Sequence, residues 1–314
     1  NIELSKVEHL DALLAAINTT TGNTSLVLSP DITEISTDLY DKTNNGAPFY
    51  QHGIAYYLWM NQEVADLSGS GTWSSAYKNI FTANTVLENL SRVTGDEALK
   101  ADLKAEAHFI RAFQNWELLN TYCLPYSPEN MKEPGIPHKT STSFEQSLVR
   151  MNLEEYRFVE EDLKEALKIT VDNVNRRWRV SIPAVHSFLA RFYLFCHDYD
   201  QALKYADLAL QADARLVDYS TEMYYGNEQN SSQGPLQVPY LWWEAIYDPS
   251  VKLEWAEFYY QYFLSASCAY FCPSREMLKL YDKENDLRYK YLMCENFSSS
   301  IFCLASSVIA FHYL

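Results

Sequence analysis

RVSIPAVHSFLARFYLFCHDYDQALKYADLALQ, residues 179–211, is the stretch whose reading decides the fold. Ser181 can cap a helix N-terminus, and Pro183 suits a first turn, where its missing N–H costs nothing. Ile182, Val185, Leu189, Phe192, Tyr193 and Cys196 then recur every three or four residues and make one apolar face. His197, Asp198, Tyr199 and Asp200 break the pattern, and Asp198 or Asp200 can cap a second helix. Ala202, Leu203, Ala206, Ala209 and Leu210 build a second face. Small side chains at Ala190, Ala202, Ala206 and Ala209 let two antiparallel helices approach closely.

The order Leu189, Ala190, Tyr193, then Ala202 and Ala209 after a short polar turn fits the tetratricopeptide (TPR) pattern. A plain antiparallel helical hairpin fits the same residues. In either case the hairpin cannot bury its apolar face alone, so further helices must stack on it. Helical spacing recurs at 4–17, from Thr72 through Leu90, at 97–122 behind a cap at Asp96, at 153–169 behind Asn152, and from Ser274 to Tyr281. Segments 26–41, 44–53 and 123–143 read as turns and loops, Asn45-Gly46, Pro48 and four prolines between Pro125 and Pro137 being the signals. Residues 213–239 are polar, 240–247 fit a short strand, and 249–271 are rich in rings. The expected class is mostly α, with long aromatic loops, little β structure and no βαβ rhythm.

The chain has 314 residues, enough for one large domain or two smaller ones. Its 41 acidic against 25 basic residues, a net charge of −16, argue against nucleic acid and against an anionic membrane surface as direct partners. The 24 Tyr, 7 Trp and 15 Phe are abundant; a helical core with few glycines uses most of them as filler, and rings beyond what a core needs serve stacking on sugars or peptides. Tyr and Trp offer a flat apolar face with a polar edge, a surface on which sugars or peptides stack. The six cysteines show no CxxC pair and no zinc spacing; Cys268 and Cys272, one helical turn apart, could bridge but read as two thiols. The chain starts at Asn1 and shows no signal peptide, so it reads as a mature or trimmed form. No segment supplies the ~20 apolar residues of a membrane span.

No nucleotide-binding glycine loop, metalloprotease motif or serine elbow is present. His108 and His186 fall on helices and read as satisfied core or surface groups, not metal ligands. The consecutive carboxylates Glu154 and Glu155, and Glu160, Glu161 and Asp162, point in different directions on a helix. They read as a solvated face and not as an acid/base pair, so no catalytic residue, metal or cofactor is expected.

Several stretches together resemble the SusD/RagB family of outer-membrane nutrient-binding lipoproteins. Trp73, Tyr77, Ile80, Ala83 and Asn84 fit W-x3-Y-x2-I-x2-A-N, and Glu106, Ala107, Phe109, Ile110, Arg111 and Ala112 are similar to E-A-x-F-L-R-A. Gly135-Ile136-Pro137 comes next, then Arg150 with Tyr156, Asp162, Leu163 and Ala166. Leu189-Ala190-Arg191-Phe192-Tyr193-Leu194 resembles L-A-R-x-Y-L, and Pro273-Ser274, Tyr281, Asp286 and Arg288 resemble P-S…Y…D-x-R. The order and spacing from Trp73 to Arg288 carry the resemblance. Cys123-Leu124-Pro125 departs from the family's G-D-V-P-like turn, and its closing helical pair is absent after Arg288.

The resemblance implies a SusD-like α-α superhelix of TPR-like pairs as one domain, 1–314, with the helical scaffold mainly at 72–211 and 274–291 and a loop-rich ligand region at 23–71 and 212–273. It implies a surface-exposed outer-membrane protein, lipid-anchored in its precursor, that captures glycan, or peptide in some members, for a SusC-like TonB-dependent transporter. Trp73, Tyr77, Asn84 and Arg111 are expected to be scaffold, with Arg111 pairing a carboxylate. Ring and amide composition outside the helical motifs selects Trp59 with Asn61, and Trp243, Trp255 and Tyr259, as ligand-binding residues. A TPR-type adaptor for peptides and a helical glycoside hydrolase are the competing readings. The first would show polar or basic clamps along repeated helices, and the second a converging carboxylate pair.

Overall fold

The computed structural model describes residues 4–19, 40–42, 71–144, 149–173, 179–212, 218, 220–221, 271–273 and 275–287. The long helices are α1 (Val7–Thr19), α2 (Gly71–Asn89), α3 (Glu97–Tyr122), α4 (Asn152–Ala166), α5 (Ile182–Phe195) and α6 (Tyr199–Leu210). A short α7 (Arg275–Leu278) lies later in the chain. Four short strands complete the described set: β1 (Tyr40–Lys42), β2 (Pro134–Pro137), β3 (Val149–Met151) and β4 (Phe271–Pro273). The fold is mostly α, built of TPR-like helix pairs, as the periodicity predicts.

The central hairpin forms as the spacing predicts. Ser181 caps α5 by accepting from the Ala184 N–H, and Pro183 sits in the first turn. Asp198 caps α6 by accepting from the Gln201 N–H. Between them His197 takes a left-handed conformation at φ 60°. Its N–H donates to the Leu194 carbonyl at 3.1 Å, and the Asp198 N–H donates to Tyr193 at 2.9 Å. These two bonds close a Schellman turn in which a histidine occupies the place glycine usually fills.

The second face of the hairpin differs from the one the sequence suggests. Ala202, Tyr205 and Ala209 are buried, while Leu203 is 64% and Leu210 42% exposed. The alanines let α6 approach α5 along their own line, and Leu203 and Leu210 lie about 100° round the helix from it. Tyr205 fills the groove by stacking on Tyr193, ring centroids 5.7 Å apart.

α3 runs through the middle. Phe109, Phe113 and Trp116 on one of its faces surround Phe188 of α5 at 5.6, 5.2 and 5.3 Å between centroids. The opposite face packs on α2, where Ala76, Ile80, Ala83 and Val86 are buried. α1 is tied to the turn before α3 by backbone bonds of 2.9 Å, Val7 N–H to Thr94 and Thr94 N–H to Ser5.

Four loop or helix expectations change. Residues 26–41 read as loop, yet Tyr40 and Asp41 belong to β1, which pairs antiparallel with β4. Cys272 lies on β4, so the helical spacing to Cys268 does not describe it; Cys268 falls outside the described residues. The proline-rich loop 123–143 contains a 3-10 turn (Asn130–Lys132) and β2, which pairs antiparallel with β3. Prolines at both ends of β2 remove donors, and the register shifts between them. The helix expected through Tyr281 stops at Leu278, leaving Leu280 78% exposed.

Candidate functional site

The site residues expected from composition, Trp59, Asn61, Trp243, Trp255 and Tyr259, lie outside the described residues, as does the short strand expected at 240–247. The described residues show what the motif side chains do and reveal one further cleft.

The motif residues build the interior. Trp73 packs on Tyr77 and, edge to face, on Tyr122 of α3, centroids 5.1 and 5.0 Å away. The Tyr77 hydroxyl donates to the Pro137 carbonyl at 2.8 Å, and Asn84 Nδ2 donates to Lys139 at 3.2 Å, so α2 holds the proline-rich loop. Burial drives the Tyr77 hydroxyl well above its ordinary pKa, with Glu155 and Cys123 adding to the rise.

Arg111 is the hub. Its Nε and Nη2 donate to the two Asp162 oxygens at 2.7 and 2.8 Å, and its Nη1 donates to Asn84 Oδ1 at 2.8 Å. His108 Nδ1 lies 2.7 Å from Asp162 Oδ1. A second buried pair joins Arg179 to Glu106 at 2.8 and 2.6 Å, with Asp11 also 2.8 Å from the guanidinium. Burial alone would lower the Arg179 pKa, but the two carboxylates outweigh it and raise it.

The carboxylate runs are therefore not a uniform solvated face. Glu155 is fully buried beside His138, and Asp162 is 3% exposed. Two turns of α4 face α3 and the loop, and those turns carry Glu155 to His138 and Asp162 to Arg111. The signal in the sequence is the apolar spacing of Val159 and Leu163, which places Glu155 and Asp162 on the same inward side.

The cleft opens where the α5–α6 turn meets α4 and the loop after α3, with a volume of about 630 Å3. The loop contributes Tyr126; α4 contributes Tyr156, Arg157 and Glu160; the hairpin contributes Phe192, Tyr193, Cys196, His197, Asp198, Tyr199 and Asp200. Tyr126 meets Tyr156 edge to face at 4.9 Å and lies 6.5 Å from His197, which in turn lies 6.2 Å from Tyr199. Burial works against ionisation of Glu160, but bonds from Lys164 and the Tyr193 hydroxyl hold its pKa below the ordinary value. The Cys196 thiol is pushed up to about 12 by burial first and by Glu160 and Asp198 next. Sequence reasoning misses this cleft because His197–Asp200 reads there only as a helix break.

Among the described residues no group of three or more His, Cys, Asp or Glu is placed to hold a metal ion. No described helix is long and apolar enough to cross a membrane.

Residues 9–194 match the profile of a SusD-like family described as starch-binding and associating with the outer membrane, and the chain belongs to that family. A SusD-like protein of Formosa agariphila is 35% identical over 72 residues, covering 20% of this chain and 13% of that protein. A SusD superfamily protein of Bacteroides vulgatus superposes with a TM-score of 0.71 at 16% identity, covering 94% of this chain and 67% of its own. A laminarin-binding SusD-like protein superposes with a TM-score of 0.55 at 19% identity, covering 84% of this chain and 52% of its own. The chain thus spans about two thirds of the first of these solved structures and a small part of the curated relative. At such identities the structural likeness shows the fold.

Proposed function

We propose that this chain is a non-catalytic, surface-exposed glycan-binding protein of the outer membrane that captures oligosaccharide and hands it to a SusC-like TonB-dependent transporter. The observation that carries this reading is the match of residues 9–194 to a starch-binding, outer-membrane-associated family. The laminarin-binding structural relative supports a carbohydrate ligand and adds a second glucan to the candidates. In this reading the chain is one domain, with ligand capture in segments 23–71 and 212–273 and with Trp59, Asn61, Trp243, Trp255 and Tyr259 as stacking and edge-bonding residues. The membrane association runs through a lipid on the precursor.

The described chemistry fits binding better than hydrolysis. A glycosidase needs a carboxylic acid whose pKa is raised so that it can protonate the leaving oxygen. Glu160, the half-buried carboxylate of the cleft, is held below its ordinary value and is ionised at neutral pH.

The test is calorimetric titration of the whole chain with starch-derived and laminarin-derived oligosaccharides, then reducing-end assays on the same sugars. Binding without release of reducing ends is expected. Turnover abolished by one carboxylate substitution would replace the binding reading with an enzymatic one, and absence of binding across the panel would remove the glycan reading.

A further inference from the structure

The cleft at the end of the α5–α6 hairpin sets donors and acceptors inside an aromatic frame. Tyr156 is 3% exposed as a residue and lines the cleft. Arg157, one residue on, is exposed at the cleft and has no ion-pair partner among the described residues. Asp198 spends Oδ1 on the α6 cap, and Asp200 in the first turn of α6 is exposed.

We infer that this cleft is a glycan subsite on the helical scaffold, separate in sequence from segments 23–71 and 212–273, that takes one neutral pyranose unit. The inference rests on the reading that the chain binds glycan. A pyranose has C–H faces that stack on rings and hydroxyls that both donate and accept. Tyr126 and Tyr199 supply rings on two sides, Tyr156 and Arg157 supply donors, and Asp198 and Asp200 supply acceptors. The volume, about 630 Å3, falls within the range of small-molecule clefts.

Charge selects against an anionic ligand, which would face Glu160, Asp198 and Asp200 with Arg157 alone to attract it. A neutral polyol meets no such penalty. His197, held at positive φ, presents its ring between Tyr126 and Tyr199, where glycine would leave a gap.

The experiment uses the whole chain with maltoheptaose and laminarihexaose as probes, in wild type and in Tyr156→Phe, Arg157→Ala and Tyr199→Ala. Tyr156→Phe removes only a hydroxyl, and the other two residues are exposed, so all three variants keep the wild-type melting temperature. Each weakens the better-bound probe about three- to tenfold, the loss of one hydrogen bond or one stacking ring. A probe of equal length ending in a glucuronate binds wild type more weakly than the neutral one. If wild type binds a probe and all three variants bind it equally well, the subsite is wrong while the proposed function stands. If no probe binds wild type, both fall. Equal affinity for the charged and neutral probes overturns the neutral-sugar assignment.

Discussion

Arg111 of α3 and Asp162 of α4, 51 residues apart in sequence, meet through two parallel bonds of 2.7 and 2.8 Å in the interior. Their side chains are 8% and 4% exposed. Such a pair is costly to bury and costlier to break, because removing one partner strands the other charge. Arg111→Ala should therefore lower stability by ~3–5 kcal/mol, and Arg111→Lys, which keeps the charge but loses the fork, by less. Replacing both residues together with apolar ones should restore most of the loss. Urea unfolding of the four proteins checks the order, and an Arg111→Ala midpoint equal to wild type would contradict the structure.

The hairpin gives a prediction that separates the observed face from the one the sequence suggests. Ala202 is 6% exposed, and Leu203 is 64% exposed. Ala202→Trp should overpack the α5–α6 interface and cost ~1–3 kcal/mol or more. Leu203→Ser and Lys204→Ala should each stay within ~0.5 kcal/mol of wild type. Were Leu203→Ser as damaging as Ala202→Trp in a thermal melt, the face would be the one the leucines mark.

Gly95 sets how α1 joins the helical body. Its φ is 136°, a conformation L side chains rarely adopt, and an added Cβ would collide with the Val7 side chain. Both effects fall on the segment whose backbone bonds hold Ser5 and Val7 to Thr94. Gly95→Ala should destabilise by more than the ~1 kcal/mol that glycine freedom alone explains. Faster hydrogen exchange in α1 than in α3 would locate the damage, and unchanged exchange in α1 would refute the account.

The scaffold was legible because local rules and tertiary packing agree there. Ser181, Pro183, Asp198 and the alternation of large rings with alanines all point to one hairpin, and each motif residue from Trp73 to Arg111 has an interior role. The short strands were not legible. β1 and β4 are three residues each and pair across more than 200 positions, so no local periodicity marks them. The acid runs mislead when charge alone is weighed; the burial of Glu155 and Asp162 depends on partners contributed by other elements, His138 from the loop and Arg111 from α3. The cleft is hidden for the same reason, since Tyr126, Tyr156 and Tyr199 come together only when three separate segments pack. The ring-based placement at Trp59 and Trp255 lies outside the described residues and is tested through binding, by titrating Trp59→Ala and Trp255→Ala after each is shown to fold. Loss of ~2 kcal/mol of affinity is expected at a true stacking ring, and wild-type affinity in both would move the site elsewhere.

Cys123 and Cys196 link the interior to alkaline pH. Burial, then the Glu155 charge, pushes the Cys123 thiol up from 9.0 to about 11. Burial, then Glu160 and Asp198, pushes Cys196 from 9.0 to about 12. The reactive species is the thiolate, so at pH 8 both should alkylate at least about tenfold more slowly than free cysteine. Iodoacetamide labelling with peptide mapping reads this site by site. The same shifts fix the sign of the stability change. The folded chain holds these protons more tightly than the unfolded one, so the stabilisation is complete below pH 9 and is lost as pH rises through about 11 and 12. Tyr156 and Tyr193, whose hydroxyls burial also pushes up from 10.0, add a loss of the same sign at higher pH. The urea midpoint of wild type should fall between pH 9 and pH 11 more steeply than that of Cys196→Ala. Parallel curves for the two proteins, or rapid labelling of Cys196 at pH 8, would show that the thiol is not buried beside Glu160 and Asp198.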